Sequence, residues 1–196
     1  MAVSAKEIAA LRLKTGLPMM ECKSALIEAD GNEQEAIKIL KSRGLAKVAK
    51  RSERETKSGL IEGYVHDGKI GILVEVLTET DFVAKNSDFK EFVHNLALQI
   101  AATNPKYISK DDVPVEVLQK EKDELETQVK ASGKPEKIVQ KILEGKINSF
   151  YSESCLLEQP YIKDQNKNVG DLLIDLVSKI GEKILISRFI RYELGN

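Results

Sequence analysis

The chain has 196 residues, 42% apolar and 31% charged, with 30 basic against 31 acidic side chains and a net charge of −1. That length allows one or two compact domains with a real core, and the near-zero balance argues against a dedicated nucleic-acid binder, which carries a strong positive excess. No apolar run approaches the ~20 residues of a membrane span, and no basic segment followed by an apolar stretch marks a secretory leader, so a cytoplasmic protein is expected.

The first fifty residues read as three short helices. Ser4 followed by Glu7 is a capping-box signature, with Ile8, Leu11 and Leu13 supplying an apolar face. Thr15-Gly16 ends that helix, and Pro18 suits the first turn of the next, which runs from Met19 to Ala29 with Cys22, Ala25, Leu26 and Ala29 at helical spacing. Asp30-Gly31 turns the chain, and Asn32 caps a third helix bearing Ala36, Ile37, Ile39 and Leu40, with Gly44 as its stop. Residues 1–46 are expected to form this small bundle. Between Lys47 and Lys57 five basic residues stand against Glu53 and Glu55, which reads as a solvated linker or a helix extension, with a phosphate-binding arm as the alternative.

Residues 58–196 form the second expected domain. Asp67-Gly68 separates two strand-like runs, a strong hairpin signal. Helices are expected over Ser87 to Thr103, Pro114 to Ala131, Pro135 to Tyr151 and Val169 to Ile180, with Ser132-Gly133 as a break and Gly181 as a stop. A last strand covers Ile184 to Tyr192. The fold class is therefore α+β, a small antiparallel three-stranded sheet packed with helices. So few strands leave an edge or face that invites a second chain.

Little here points to chemistry. Gly63 to Ile70 comes within one residue of a phosphate-binding loop, but Ile70 stands where a Ser or Thr must hold magnesium, and a strand follows Lys69 instead of a helix. Cys22 and Cys155 lie far apart in no CxxC pattern, so neither a disulfide nor a zinc site is expected, and Cys22 reads as core. His66 and His94 have no nucleophile partner by motif. No cofactor and no enzymatic activity are expected. Two features remain. Met19 and Met20 are adjacent, so at least one faces out, either as a soft partner contact or as cover for the bundle. Asp81-Phe82 follows a strand and precedes a helix, either as an acidic helix start with the Phe tucked beneath it or as a Phe aimed at another protein.

Several blocks together resemble a known family. Leu11-Arg12, Thr15-Gly16 and Met19 to Leu26, then Glu79 to Asn86, Lys141 to Lys146, Leu156 to Pro160 and Lys179 to Glu182, are similar in order to the blocks of elongation factor Ts. The resemblance implies a guanine-nucleotide exchange factor for elongation factor Tu. It implies a ubiquitin-associated-like (UBA-like) helical module whose Met19, Met20 and Lys23 grip the GTPase, and a Thr80-Asp81-Phe82 turn that enters near its magnesium. Leu17-Pro18 departs from the Ala-Gly common before the paired methionines. The chain has room for one copy of a core unit that longer members carry twice, which implies a homodimer, and His66 matches a hairpin histidine of the second copy. The alternatives are an adaptor that binds without driving exchange and, against the net charge, an RNA-binding accessory protein using the 47–57 arm.

Overall fold

A computed structural model describes residues 3–130 and 136–195. Helix α1 (Ala5–Thr15) opens on the expected capping box: the Ser4 hydroxyl accepts from the Glu7 N–H, and the Glu7 carboxylate accepts from the Ser4 N–H at 2.7 Å. It closes at Gly16, whose φ of 69° gives the left-handed cap that glycine adopts without strain. Leu13, read as part of the apolar face, is 87% exposed; Ile8 and Leu11 alone face inward, because a residue two after Leu11 lies on the other side of the helix. Helix α2 (Met19–Glu28) buries Cys22, Ala25 and Leu26 against them.

Helix α3 (Glu33–Arg51) is capped by Asn32 as expected but does not stop at Gly44. Glycine ends a helix when it takes a positive φ, and here Gly44 is a buried helix-interior residue pressed against another helix. The helix thus runs on through the first half of the basic stretch. Its early turns place Ala36 and Leu40 in the helical-module core, and Val48 packs against the second core.

That second core lies under a three-stranded antiparallel sheet of order β1-β2-β5: β1 (Ser58–His66), β2 (Ile70–Thr78) and β5 (Ile184–Glu193). The β1–β2 turn has Asp67 and Gly68 both at positive φ, with the Lys69 N–H donating to the His66 carbonyl, as the Asp-Gly pair predicts. Strand alternation sends Ile72, Val74, Val76, Ile184 and Ile186 to one face, where α5 (Ser87–Thr103) contributes Phe89, Val93, Leu96 and Ile100. Helix α8 (Val169–Ile180) completes this core with Leu176 and Val177.

A single turn, α4 (Asp81–Ala84), precedes α5, and the helices α6 (Val115–Lys130) and α7 (Glu136–Ser154) come between α5 and α8. The expected termini at Ala131 and Pro135 and the Ser132-Gly133 break lie outside the described residues. A short hairpin, β3 (Pro160–Tyr161) with β4 (Asp164–Asn168), adds to the expected elements. Its strands, one of two residues and one reading Asp-Gln-Asn-Lys-Asn, lack the apolar alternation that marks a strand in sequence. It is held instead by buried amides. Gln99 donates to the Gln159 side chain at 3.2 Å and to the Pro160 carbonyl at 3.1 Å, and accepts from the Ile162 N–H at 2.9 Å.

Candidate functional site

Strand β2 leaves the sheet at Thr78, and the chain beyond it is built to hold one short turn still. Thr80 has extended backbone and caps α4, its hydroxyl accepting from the Val83 N–H at 3.4 Å. Val83 and Ala84 are buried beneath the turn, and Asn86 immediately caps α5, accepting from the Asp88 and Phe89 N–H groups. With Val83 and Ala84 facing in, Asp81 and Phe82 must face out. Phe82 is 83% exposed. It is not tucked under a helix start, as the local reading allowed.

Beyond the last paired residues, Thr78 and Ile184, the two strands are joined by side chains in place of a backbone ladder. The Glu182 carboxylate accepts from the Thr78 hydroxyl at 3.0 Å, the Thr80 N–H at 3.1 Å and the Thr80 hydroxyl at 2.8 Å. Reciprocally, the Glu79 carboxylate accepts from the Lys183 N–H at 2.6 Å and from the Arg54 guanidinium at 3.2 Å. Burial alone would raise the Glu79 pKa, but the Lys183 N–H and Arg54 outweigh it and hold the carboxyl below its ordinary value. Thr80, a sequence-predicted contact residue, thus has its hydroxyl engaged within the chain.

On α2, Met20 is 71% exposed and Met19 48%, and Lys23 is exposed one turn on. The pair therefore does not cover the bundle, since Cys22, Ala25 and Leu26 fill that role. The basic 47–57 stretch connects this helix to the α4 turn. Lys47 donates to both Glu21 carboxylate oxygens at 2.6 and 2.7 Å, Arg54 reaches Glu79, and Lys183 donates to the Ser52 and Arg54 carbonyls. These charges serve internal contacts, a role that the net +3 of the stretch gave no means to foresee.

His66 stands apart. It sits at the hairpin end of the β1–β2 ladder, while Thr78 and α4 lie at the other end, eight strand residues or roughly 26 Å away. Its Nδ1 is 2.9 Å from the Tyr64 hydroxyl. His94, on α5, meets Glu62 at 3.0 Å. Among the described residues no group of acids, histidines and cysteines is placed to hold a metal ion, and no helix is long and apolar enough to cross a membrane. Both cysteines are buried and unbridged, and burial pushes the Cys155 thiol up.

Phe82 on the α4 turn and the Met19–Met20 pair on α2 are thus large apolar side chains that these two elements leave in solvent. The family model for elongation factor Ts matches residues 21–196. The chain belongs to the elongation factor Ts family. It is 54% identical over 195 residues to elongation factor Ts of Alkaliphilus oremlandii, covering 100% of this chain and 90% of that relative. To the Moorella thermoacetica protein of the same name it is 51% identical over 194 residues, covering 98% and 96%. To that of Fervidobacterium nodosum it is 49% identical over 196 residues, covering both chains fully. The resemblance drawn from the sequence blocks is therefore correct, and the family places this protein in translation elongation.

Proposed function

We propose that the chain binds elongation factor Tu and accelerates its release of GDP, acting by binding, with no bond made or broken. The observation that carries this reading is the exposed Phe82 beside Asp81 on a turn braced from both sides. A large apolar side chain held in water gains roughly 1.5–3 kcal/mol on full burial in a partner, and a fixed turn loses little freedom in doing so. In the family reading, Phe82 enters the GTPase near its magnesium site with Asp81 beside it, while Met19, Met20 and Lys23 grip the nucleotide-binding domain. Magnesium neutralises the diphosphate, so displacing it lowers nucleotide affinity. A factor that prefers the nucleotide-free GTPase must lower GDP affinity by the same coupling free energy.

Homodimerisation belongs to the same proposal. The sheet face turned away from α5 carries Ile61, Val65, Leu73, Ile190 and Tyr192, all exposed in a single chain, around the Glu75–Arg188 pair at 3.0 Å. A second copy would cover it, and two-fold symmetry would set each Glu75 near an Arg188 of the other chain. Because one chain holds His66 and Phe82 at opposite ends of its sheet, His66 of one chain and Phe82 of the other would serve one GTPase.

The test is release of fluorescent GDP from elongation factor Tu, with and without this protein. Acceleration that disappears in Asp81→Ala and Phe82→Ala supports exchange. Tight binding with no acceleration by the unaltered protein favours the adaptor reading instead.

A further inference from the structure

We propose that Glu182 is a positioning residue for exchange, fixing the aim of Asp81 and Phe82 from 102 residues beyond the Thr80 that it holds. This rests on the function proposed above. A single turn such as α4 cannot hold itself, since its few hydrogen bonds do not offset the backbone freedom lost in forming it. The buried Val83 and Ala84 decide which side of the turn faces out, and the path of the chain into it is set at Thr80. There the Glu182 carboxylate takes both polar groups that Thr80 can donate, the N–H at 3.1 Å and the hydroxyl at 2.8 Å. The same Oε2 that takes the N–H also accepts from the Thr78 hydroxyl at 3.0 Å, tying the turn to the last residue of β2. Glu182 is in turn placed by Gly181, whose φ of 86° ends α8 and turns the chain into β5.

The arrangement is two-sided. Glu79 reaches across to the Lys183 N–H while Glu182 reaches back to the Thr80 N–H, so each carboxylate takes the place of a ladder bond that the diverging strands no longer make. The Glu182 carboxylate is spent on Thr78 and Thr80, and neither Asp81 nor Phe82 is among its partners. Its effect on the GTPase is exerted through Thr80, and that gives a signature distinct from simple stabilisation.

The experiment is a mutant cycle in the affinity for nucleotide-free elongation factor Tu, read by titration calorimetry. GDP-release rates and Tm are measured on the same proteins. Glu182→Ala is expected to weaken binding about tenfold in the native background but less than about twofold in a background carrying both Asp81→Ala and Phe82→Ala, since a residue acting through that pair has nothing left to aim. Glu182→Gln, which keeps a carbonyl oxygen for Thr78 and the Thr80 N–H, is expected within about twofold of the unaltered protein. Equal weakening by Glu182→Ala in both backgrounds, or none in either, overturns the positioning role while leaving the exchange function intact. If the unaltered protein neither binds the GTPase nor accelerates GDP release, the function itself is wrong and this inference falls with it.

Discussion

Gly44 on α3 lies so close to Ile174 on α8 that a Cβ at Gly44 would stand 2.5 Å from the Ile174 Cγ2 methyl and 3.0 Å from the Ser178 hydroxyl oxygen. Real Cβ contacts do not come that near, and Ile174, branched at Cβ, has little freedom to swing away. A glycine inside a helix costs roughly 1 kcal/mol against alanine, and its presence here is explained by the approach it permits. Lys41, one turn earlier, pairs with Asp171 at 2.6 Å, and Val48, one turn later, packs on the sheet core. Helix α3 therefore packs along α8 and onto the sheet core over several turns.

Gly44→Ala is accordingly expected to destabilise the protein by about 1–3 kcal/mol despite its better helix propensity, as overpacking does. Combining it with Ile174→Leu, which removes the Cγ2 branch, recovers part of the loss. Urea unfolding of the two variants measures both effects. A stabilised Gly44→Ala protein would show that α3 and α8 do not meet this closely.

Adjacent residues of α4 should separate stability from function. Phe82 is exposed, so Phe82→Ala is expected to change unfolding free energy by less than about 0.5 kcal/mol. Val83 is buried in the sheet core, and Val83→Ala is expected to cost about 1–3 kcal/mol. Thermal unfolding alongside GDP-release assays checks the pair. A large stability loss in Phe82→Ala would mean that the side chain packs on its own chain.

Acid should loosen the brace around this turn. Glu79 has its folded pKa held below the ordinary carboxylate value, by the Lys183 N–H and Arg54 against the opposing effect of burial. A lowered folded pKa means stability that is fully present above the unfolded value near 4.5 and lost as pH falls through the folded one. Glu75 on the outer sheet face follows the same sign, lowered first by Ser187 and then by Arg188. Glu79→Gln is thus expected to be less stable than the native protein at pH 7 and to lose less on acidification below about pH 4.5. Unfolding midpoints across pH 3–7 provide the check, and parallel curves for the two proteins would exclude Glu79 as a contributor.

Local signals made most of the fold legible. The Ser4–Glu7 box, the Asn32 cap, the Asp67-Gly68 turn and the Gly181 stop each act over three or four residues, within reach of sequence spacing. Gly44 reads in sequence as a stop because glycine has two uses, a positive-φ cap and a close approach, and only the neighbouring helix shows which applies. The Gln99–Gln159 network is invisible for a related reason, since a buried amide reads in sequence as a surface one. At the candidate site the local rules left Asp81-Phe82 open between helix start and contact. The buried Val83 and Ala84 decide the exposure of Phe82, but Glu182, which braces it, lies too far along the chain for any spacing rule.

The outer sheet face makes the last prediction. Gly63, Leu73 and Ile190 form one cross-strand row, and the neighbouring rows hold Ile61 with Glu75 and Arg188, and Val65 with Gly71 and Tyr192. Leu73 sits on the central strand of this face, so Leu73→Glu would place a charge within the proposed two-fold contact, with a like charge brought in by the second copy. The side chain is half exposed in one chain, so the substitution should leave the fold intact while costing a dimer several kcal/mol. Sedimentation equilibrium is expected to give a dimer for the native protein and a monomer for Leu73→Glu. If both chains serve one GTPase, the monomer should also lose exchange activity to about the extent that His66→Ala does. A Leu73→Glu protein that remains dimeric would place the contact elsewhere, and a monomeric one that exchanges at full rate would assign the whole activity to α2 and α4 of a single chain.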